Sequence, residues 1–148
     1  MTRKIAKLLV GITVGLSLTA CSTYRNVVPD WMPGSGAIAV KLSGTEEVPP
    51  LSVPGTGTGS FRVASDGTIT GSITTKDVQG TMAHIHRGAK GQNGPIVVPL
   101  DKNGDTYTVP AGRKLTPQQM DDLKAGNLYV NVHTNRNKGG EVRGQLAP

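Results

Sequence analysis

Cysteine is almost missing from this chain: one residue in 148, Cys21. A lone cysteine excludes an internal disulfide, so an exported domain of this sequence has to be held by its core or helped by a metal. Large aromatic residues are nearly as scarce, with one Phe, one Trp and three Tyr. The core must therefore be built mainly from Val, Ile and Leu. No long Lys/Arg cluster occurs and no aromatics interleave with basic residues, which leaves no footprint for nucleic acid. There is no Gly-x-Ser-x-Gly elbow of a serine hydrolase, and no Lys-Ser/Thr pair follows the glycine-rich stretch 88–95, so that stretch reads as a structural loop and not as a phosphate cradle.

Glycine and proline, by contrast, are plentiful, at 20 and 10 residues. Spaced between short β-branched runs, they point to an all-β domain with many turns. The length suits one domain with a real core.

The first 20 residues read as a targeting segment. Arg3, Lys4 and Lys7 precede an apolar stretch from Leu8 to Leu18 that is too short to span a bilayer comfortably. Leu18-Thr19-Ala20-Cys21 follows and is similar to the lipobox of bacterial lipoproteins, in which the cysteine is acylated and becomes the first mature residue. That resemblance implies a lipid-anchored protein of the cell envelope. Ser22, in place of Asp, suits the outer membrane of a Gram-negative cell, facing the periplasm or the surface. The full chain carries 16 basic and 10 acidic residues; setting aside the three basic ones of the leader leaves 13 against 10, a mature charge of only +3. Residues 21–36 read as the lipidated N-terminus and a Pro/Gly-containing tether, with Trp31 packing on the domain edge, and residues 37–148 as the domain.

Within the domain, Ile38, Val40 and Leu42 alternate with Ala37, Ala39 and Lys41, the period of a half-buried strand. Glu46-Glu47-Val48-Pro49-Pro50 is expected to be extended, because a residue before proline avoids the helical region. Asp66-Gly67 marks a hairpin between Phe61-Val63 and Ile69-Ile73. Further strands are expected at 96–100 and 106–109, around a Lys102-Asn103-Gly104-Asp105 turn. One helix is written clearly: Thr116 as N-cap, Pro117 first, Gln119 third as in a capping box, Leu115 and Met120 as a staple, and Gly126 at the end.

All three histidines fall in two strand-like runs, Ala83-His84-Ile85-His86-Arg87-Gly88 and Tyr129-Val130-Asn131-Val132-His133-Thr134. Side chains alternate along a strand, so His84 and His86 share one face while Ala83 and Ile85 share the other. Likewise Tyr129, Asn131 and His133 oppose Leu128, Val130 and Val132. If the two strands are neighbours, about 4.8 Å apart, the three imidazoles converge on the side away from the core. Three nitrogens suit copper or zinc. Glu47, Tyr129, Asn131, Glu141 and Arg143 are the candidates to surround them, Glu141 and Arg143 because they alternate with the apolar Val142.

Taken together, Glu47-Val48-Pro49-Pro50, Ala83-His84-Ile85-His86 with Gly88, Gly94-Pro95-Ile96-Val97, Ala125 to Thr134, and Gly139-Gly140-Glu141-Val142-Arg143-Gly144-Gln145-Leu146 resemble the CHRD domain, named from chordin and found in many exported bacterial proteins. The resemblance covers about Ala37 to Leu146. It implies an immunoglobulin-like or superoxide-dismutase-like antiparallel β-sandwich with one short helix, and no single activity.

Three functions compete. The first is a metal-binding envelope protein using His84, His86 and His133. The second is a structural or protein-interaction module whose polar residues form a hydrogen-bonded network without an ion. The third is an enzyme related to copper-zinc superoxide dismutase, whose His-x-His strand this one resembles. That family's bimetallic site requires more histidines, an aspartate on zinc and usually a disulfide, so it cannot be built here and catalysis is not expected. If Cys21 is acylated, Cys21→Ala should abolish fatty-acid labelling and maturation; undiminished metabolic labelling of the variant would rule the lipobox out.

Overall fold

The structure, a computed structural model, describes residues 36–148. Cys21, Trp31 and nearly all of the segment read as leader and tether lie outside the described residues. Eight strands and one helix make up the domain. They are β1 (Ile38–Ser43), β2 (Thr56–Val63), β3 (Ile69–Lys76), β4 (Gly80–Arg87), β5 (Ile96–Asn103), β6 (Thr106–Thr108), α1 (Pro117–Lys124), β7 (Leu128–Thr134) and β8 (Val142–Leu146), with a 3-10 turn at Gly44–Glu46.

The strands close into a barrel in the order β1-β2-β3-β6-β5-β4-β7-β8, with β8 returning to β1. Every pairing is antiparallel. The expectation of a β-sandwich, immunoglobulin-like or superoxide-dismutase-like, is thereby corrected. Two seams make the difference. At one, the three-residue strand β6 joins β3 to β5, with Tyr107 opposite Ile73 on one side and Lys102 on the other. At the other, Ser43 of β1 stands opposite Arg143 of β8. A period-two pattern states which face of a strand is buried, but the interiors of a sandwich and of a barrel bury the same alternate residues. Closure pairs the backbone N–H and C=O groups that open edges would leave exposed.

The inward side chains are those the alternation marks. Val40 and Leu42, Phe61 and Val63, Ile73, Ala83 and Ile85, Val98 and Leu100, Val130 and Val132, and Val142 and Leu146 form one buried cluster. Glycine occupies positions where neighbouring strands approach closely. Gly71 lies opposite Phe61 with φ +136°, and a Cβ there would come within 2.7 Å of the Phe61 Cα and 2.9 Å of its ring.

The β2–β3 hairpin turns at Asp66-Gly67 as expected, Val63 facing Ile69. Of the segment 46–50 expected to be extended, Glu46 instead ends the 3-10 turn while Glu47 is extended; the Gly44 carbonyl accepts from both Glu47 N–H at 3.1 Å and Leu51 N–H at 2.9 Å. Helix α1 carries the full capping box: Gln119 N–H donates to Thr116 Oγ1 at 3.2 Å and Thr116 N–H to Gln119 Oε1 at 2.8 Å. Leu115 and Leu123 are buried and Met120 packs against the core. An Arg87–Asp122 pair at 2.9 Å ties the helix to the end of β4.

Ile85 has no exposed surface. Ile85→Ala should lower unfolding free energy by about 2–5 kcal/mol, whereas Lys41→Ala, on the outer face of β1, should stay within about 0.5 kcal/mol; urea denaturation reads both.

Candidate functional site

The candidate site sits on the outer wall of the barrel, where β4, β7 and β8 run side by side. In register, Ile85 faces Val130 and Ala83 faces Val132, and this apolar pairing fills the interior. The same register sets His84 opposite Asn131 and His86 opposite Tyr129 on the outside, with Arg143 next to Asn131 and Gln145 next to Tyr129 across β8. His133 faces Met82.

The three imidazoles meet as the alternation requires. His84 Nδ1 lies 3.0 Å from His133 Nε2, and one ring nitrogen from each of His84, His86 and His133 falls within 4.8 Å of the others. Ring centroids are 4.8 Å apart for His84–His133, 5.5 Å for His84–His86 and 5.8 Å for His86–His133.

Although this face lies outside the barrel, it is not bare. Every residue of β7 is buried, and His86, His133, Asn131, Arg143 and Glu47 are at most 8% exposed. Two loops supply the cover. From the loop after β4, the Gly94 carbonyl accepts from His86 Nδ1 at 2.9 Å and the Ala89 carbonyl from Arg143 Nη2 at 3.2 Å. Gly94 N–H donates to the Tyr129 hydroxyl at 3.2 Å. From the loop before β8, the Lys138 carbonyl accepts from His133 Nδ1 at 2.9 Å and the Gly139 carbonyl from Asn131 Nδ2 at 3.2 Å. The glycine-rich stretch thus presents acceptors, which suit imidazole and guanidinium donors.

These bonds determine tautomers. A carbonyl only accepts, so Nδ1 carries the proton in both His86 and His133, and the lone pair is on Nε2. The His133 lone pair points at His84. That of His86 is buried without a hydrogen-bond partner among the described residues, a state that costs free energy unless something occupies the lone pair. Tyr129 lies between the flanking strands, stacked on the His86 ring at 5.0 Å and 9° and covered by the Arg143 guanidinium 3.5 Å from its centroid. This layering holds the His86 plane and disperses the Arg143 charge over a π face.

The surrounding candidates separate. Tyr129, Asn131 and Arg143 stand against the histidines or beside their neighbours. Glu47 is buried next to Asn131 and Gly140, where Gly140, at φ +134°, leaves space that a Cβ would take from the Glu47 carboxylate and the Asn131 amide. Glu141 points elsewhere, accepting from Thr134 Oγ1 at 2.7 Å and Asn137 Nδ2 at 3.0 Å and bracing the loop. Sequence reasoning passed over Asn93 and Gln145. Asn93 accepts from Arg143 and donates to the Val48 carbonyl; Gln145 bonds the Gly88 and Gly126 carbonyls at 2.8 Å each. Continuing the alternation of Glu141 and Arg143 by one step would have found Gln145. No local signal marks Asn93.

Burial governs the titrations. It lowers the His84 imidazole to about 4, with the neighbouring His133 and His86 adding to the effect, and it lowers His86 as well. Burial also raises the Glu47 carboxyl to about 7 against the opposing pull of Arg143. At neutral pH His84 and His86 are therefore neutral, which is the form that ligates a metal.

A family model described as the CHRD domain matches residues 38–146. No curated protein and no solved structure matches the chain.

The two kinds of shift oppose each other in stability. His84 and His86 bind fewer protons folded than unfolded, so their contribution is full above the unfolded value of 6.5 and is lost as pH falls toward 4. Glu47 binds more protons folded, so its contribution is full below 4.5 and is lost as pH rises toward 7. Glu47→Gln should therefore steepen the rise in metal-free stability between about pH 4.5 and 6.5, and His84→Gln should flatten it. Urea midpoints across that range, with a chelator present, provide the check.

Proposed function

The chain belongs to the CHRD domain family, and on that premise we propose that it is a lipid-anchored protein of the cell envelope that binds a transition metal, copper or zinc, through His84, His86 and His133. The observation carrying the metal reading is the pair of Nδ1 bonds to the Gly94 and Lys138 carbonyls. Metal-ligating histidines commonly donate the second ring N–H in this way, which orients the ring and increases the basicity of the ligating nitrogen. The unpartnered, buried Nε2 of His86 supports it further. Two nitrogens on one tetrahedral ion stand about 3.3 Å apart; His84 and His133 are at 3.0 Å, and the His86 nitrogen, within 4.8 Å of both, closes on them by a small ring movement when an ion binds. The anchor rests on Leu18-Thr19-Ala20-Cys21 following a basic and then an apolar segment.

One observation favours a second reading, a non-catalytic module without metal. The same 3.0 Å contact is also a hydrogen bond, His84 Nδ1–H to His133 Nε2, and such a bond lets the histidines brace the two loops without an ion.

Calorimetric titration with Cu(II) and Zn(II) separates the two. His86→Ala and His133→Ala should each weaken binding by about tenfold or more, Lys41→Ala should not, and metal should raise the melting temperature of the parent far more than that of the histidine variants. Equal affinities across the set would assign the cluster to a polar network.

A further inference from the structure

Met82 is one of two large hydrophobic side chains the described domain leaves exposed, at 50%. Its place in β4 gives that exposure a meaning. It shares the outward face with His84 and His86 and stands directly opposite His133 on β7. Side chains so paired have Cβ atoms about 4.5–5.5 Å apart. The side chain of methionine, with three rotatable bonds, is long and flexible enough to turn its sulfur from this position toward a centre between the rings. The local backbone is also particular. The β4–β7 register shifts between Gly80 and Met82, and Thr81 Oγ1 donates to the His133 carbonyl at 3.1 Å. Bulges of this kind re-aim side chains next to functional sites. Here regular pairing resumes at the Met82–His133 pair. Core packing gives no account of Met82, since Ala83 and Ile85 fill the interior from this strand.

The charges around the cluster point the same way. Imidazole and thioether are uncharged ligands, the Glu141 carboxylate is turned into its own loop, and the nearby Arg143 is a buried cation. A partly buried site without an anionic ligand accommodates a monovalent ion at less desolvation cost than a divalent one. A thioether is a soft donor that selects Cu(I), whereas zinc sites draw on thiolate, imidazole and carboxylate.

From this placement we infer that Met82 is the fourth donor and that His84, His86, His133 and Met82 together form a Cu(I) site. The inference rests on the metal reading above and narrows it to one ion and one oxidation state.

The test uses the full chain carrying Cys21→Ser, so that its single thiol contributes nothing. Cu(I) affinity is read by competition with bathocuproine disulfonate and Zn(II) affinity by calorimetry, for the parent, Met82→Leu and His133→Ala. Leucine keeps the size and apolar character of the side chain and removes only the sulfur. Met82→Leu should weaken Cu(I) binding by about tenfold or more while changing Zn(II) binding by less than about twofold, and a sulfur scatterer in the X-ray absorption spectrum of the parent's Cu(I) form should vanish. If Met82→Leu binds Cu(I) like the parent while His133→Ala does not, the methionine assignment falls and the three-histidine site stands. If the parent binds neither ion, the metal reading itself falls, and this inference with it.

Discussion

Antiparallel pairing of β4 with β7 is the constraint from which both sides of the barrel wall follow. With Ile85 against Val130 and Ala83 against Val132 inside, the pleat leaves no choice outside: His84 must stand beside Asn131, His86 beside Tyr129 and His133 beside Met82. A slip of one residue would turn the valines to the loops and the imidazoles into the core. Hydrophobic burial on one face therefore specifies the arrangement of polar groups on the other. The register of the site is maintained by residues that never touch it.

A second constraint is desolvation. The outer face carries His, Asn, Tyr, Arg and Glu, groups that ordinarily stay in water, yet most of them are buried. Two loops make this possible by offering carbonyls where the side chains offer N–H groups. Arg143 shows the scale of the demand. It is 1% exposed, and its guanidinium is satisfied by Ala89, Asn93, Gln145 and the Tyr129 ring. Its charge in turn opposes protonation of His86 and favours ionisation of Glu47. Residues placed to cover the site thus also tune it.

The histidine cluster combines His84 and His86, which burial keeps unprotonated, with backbone acceptors that hold His86 and His133 as the same tautomer. For His86 and His133 the ring orientation and the position of the ring proton are thereby set before any ligand arrives. The same bonds stitch the loops to the sheet, so a purely structural network and a metal centre use the same contacts and differ in what occupies the Nε2 lone pairs.

The sequence by itself determined the strands, the capped helix and the inward and outward faces, because each is written in local terms: period-two alternation, Asp-Gly at a hairpin, Thr-Pro-x-Gln at a helix start. It also determined that His84 and His86 share one face of their strand and that His133 lies on the face of its own strand away from the valines, since alternation suffices for that; that the two strands are neighbours, so that the rings meet, was decided by the tertiary structure. Only the tertiary structure decided that the sheet closes into a barrel, because closure depends on two thin edge seams, around Tyr107 and at Ser43–Arg143, that leave no periodic mark. It alone decided that the outer face is covered, that Asn93 and the Gly94 and Lys138 carbonyls belong to the site while Glu141 does not, and that His84 titrates near 4. Those properties arise where loops distant in sequence fold over the sheet, and no local pattern records where a loop comes to rest.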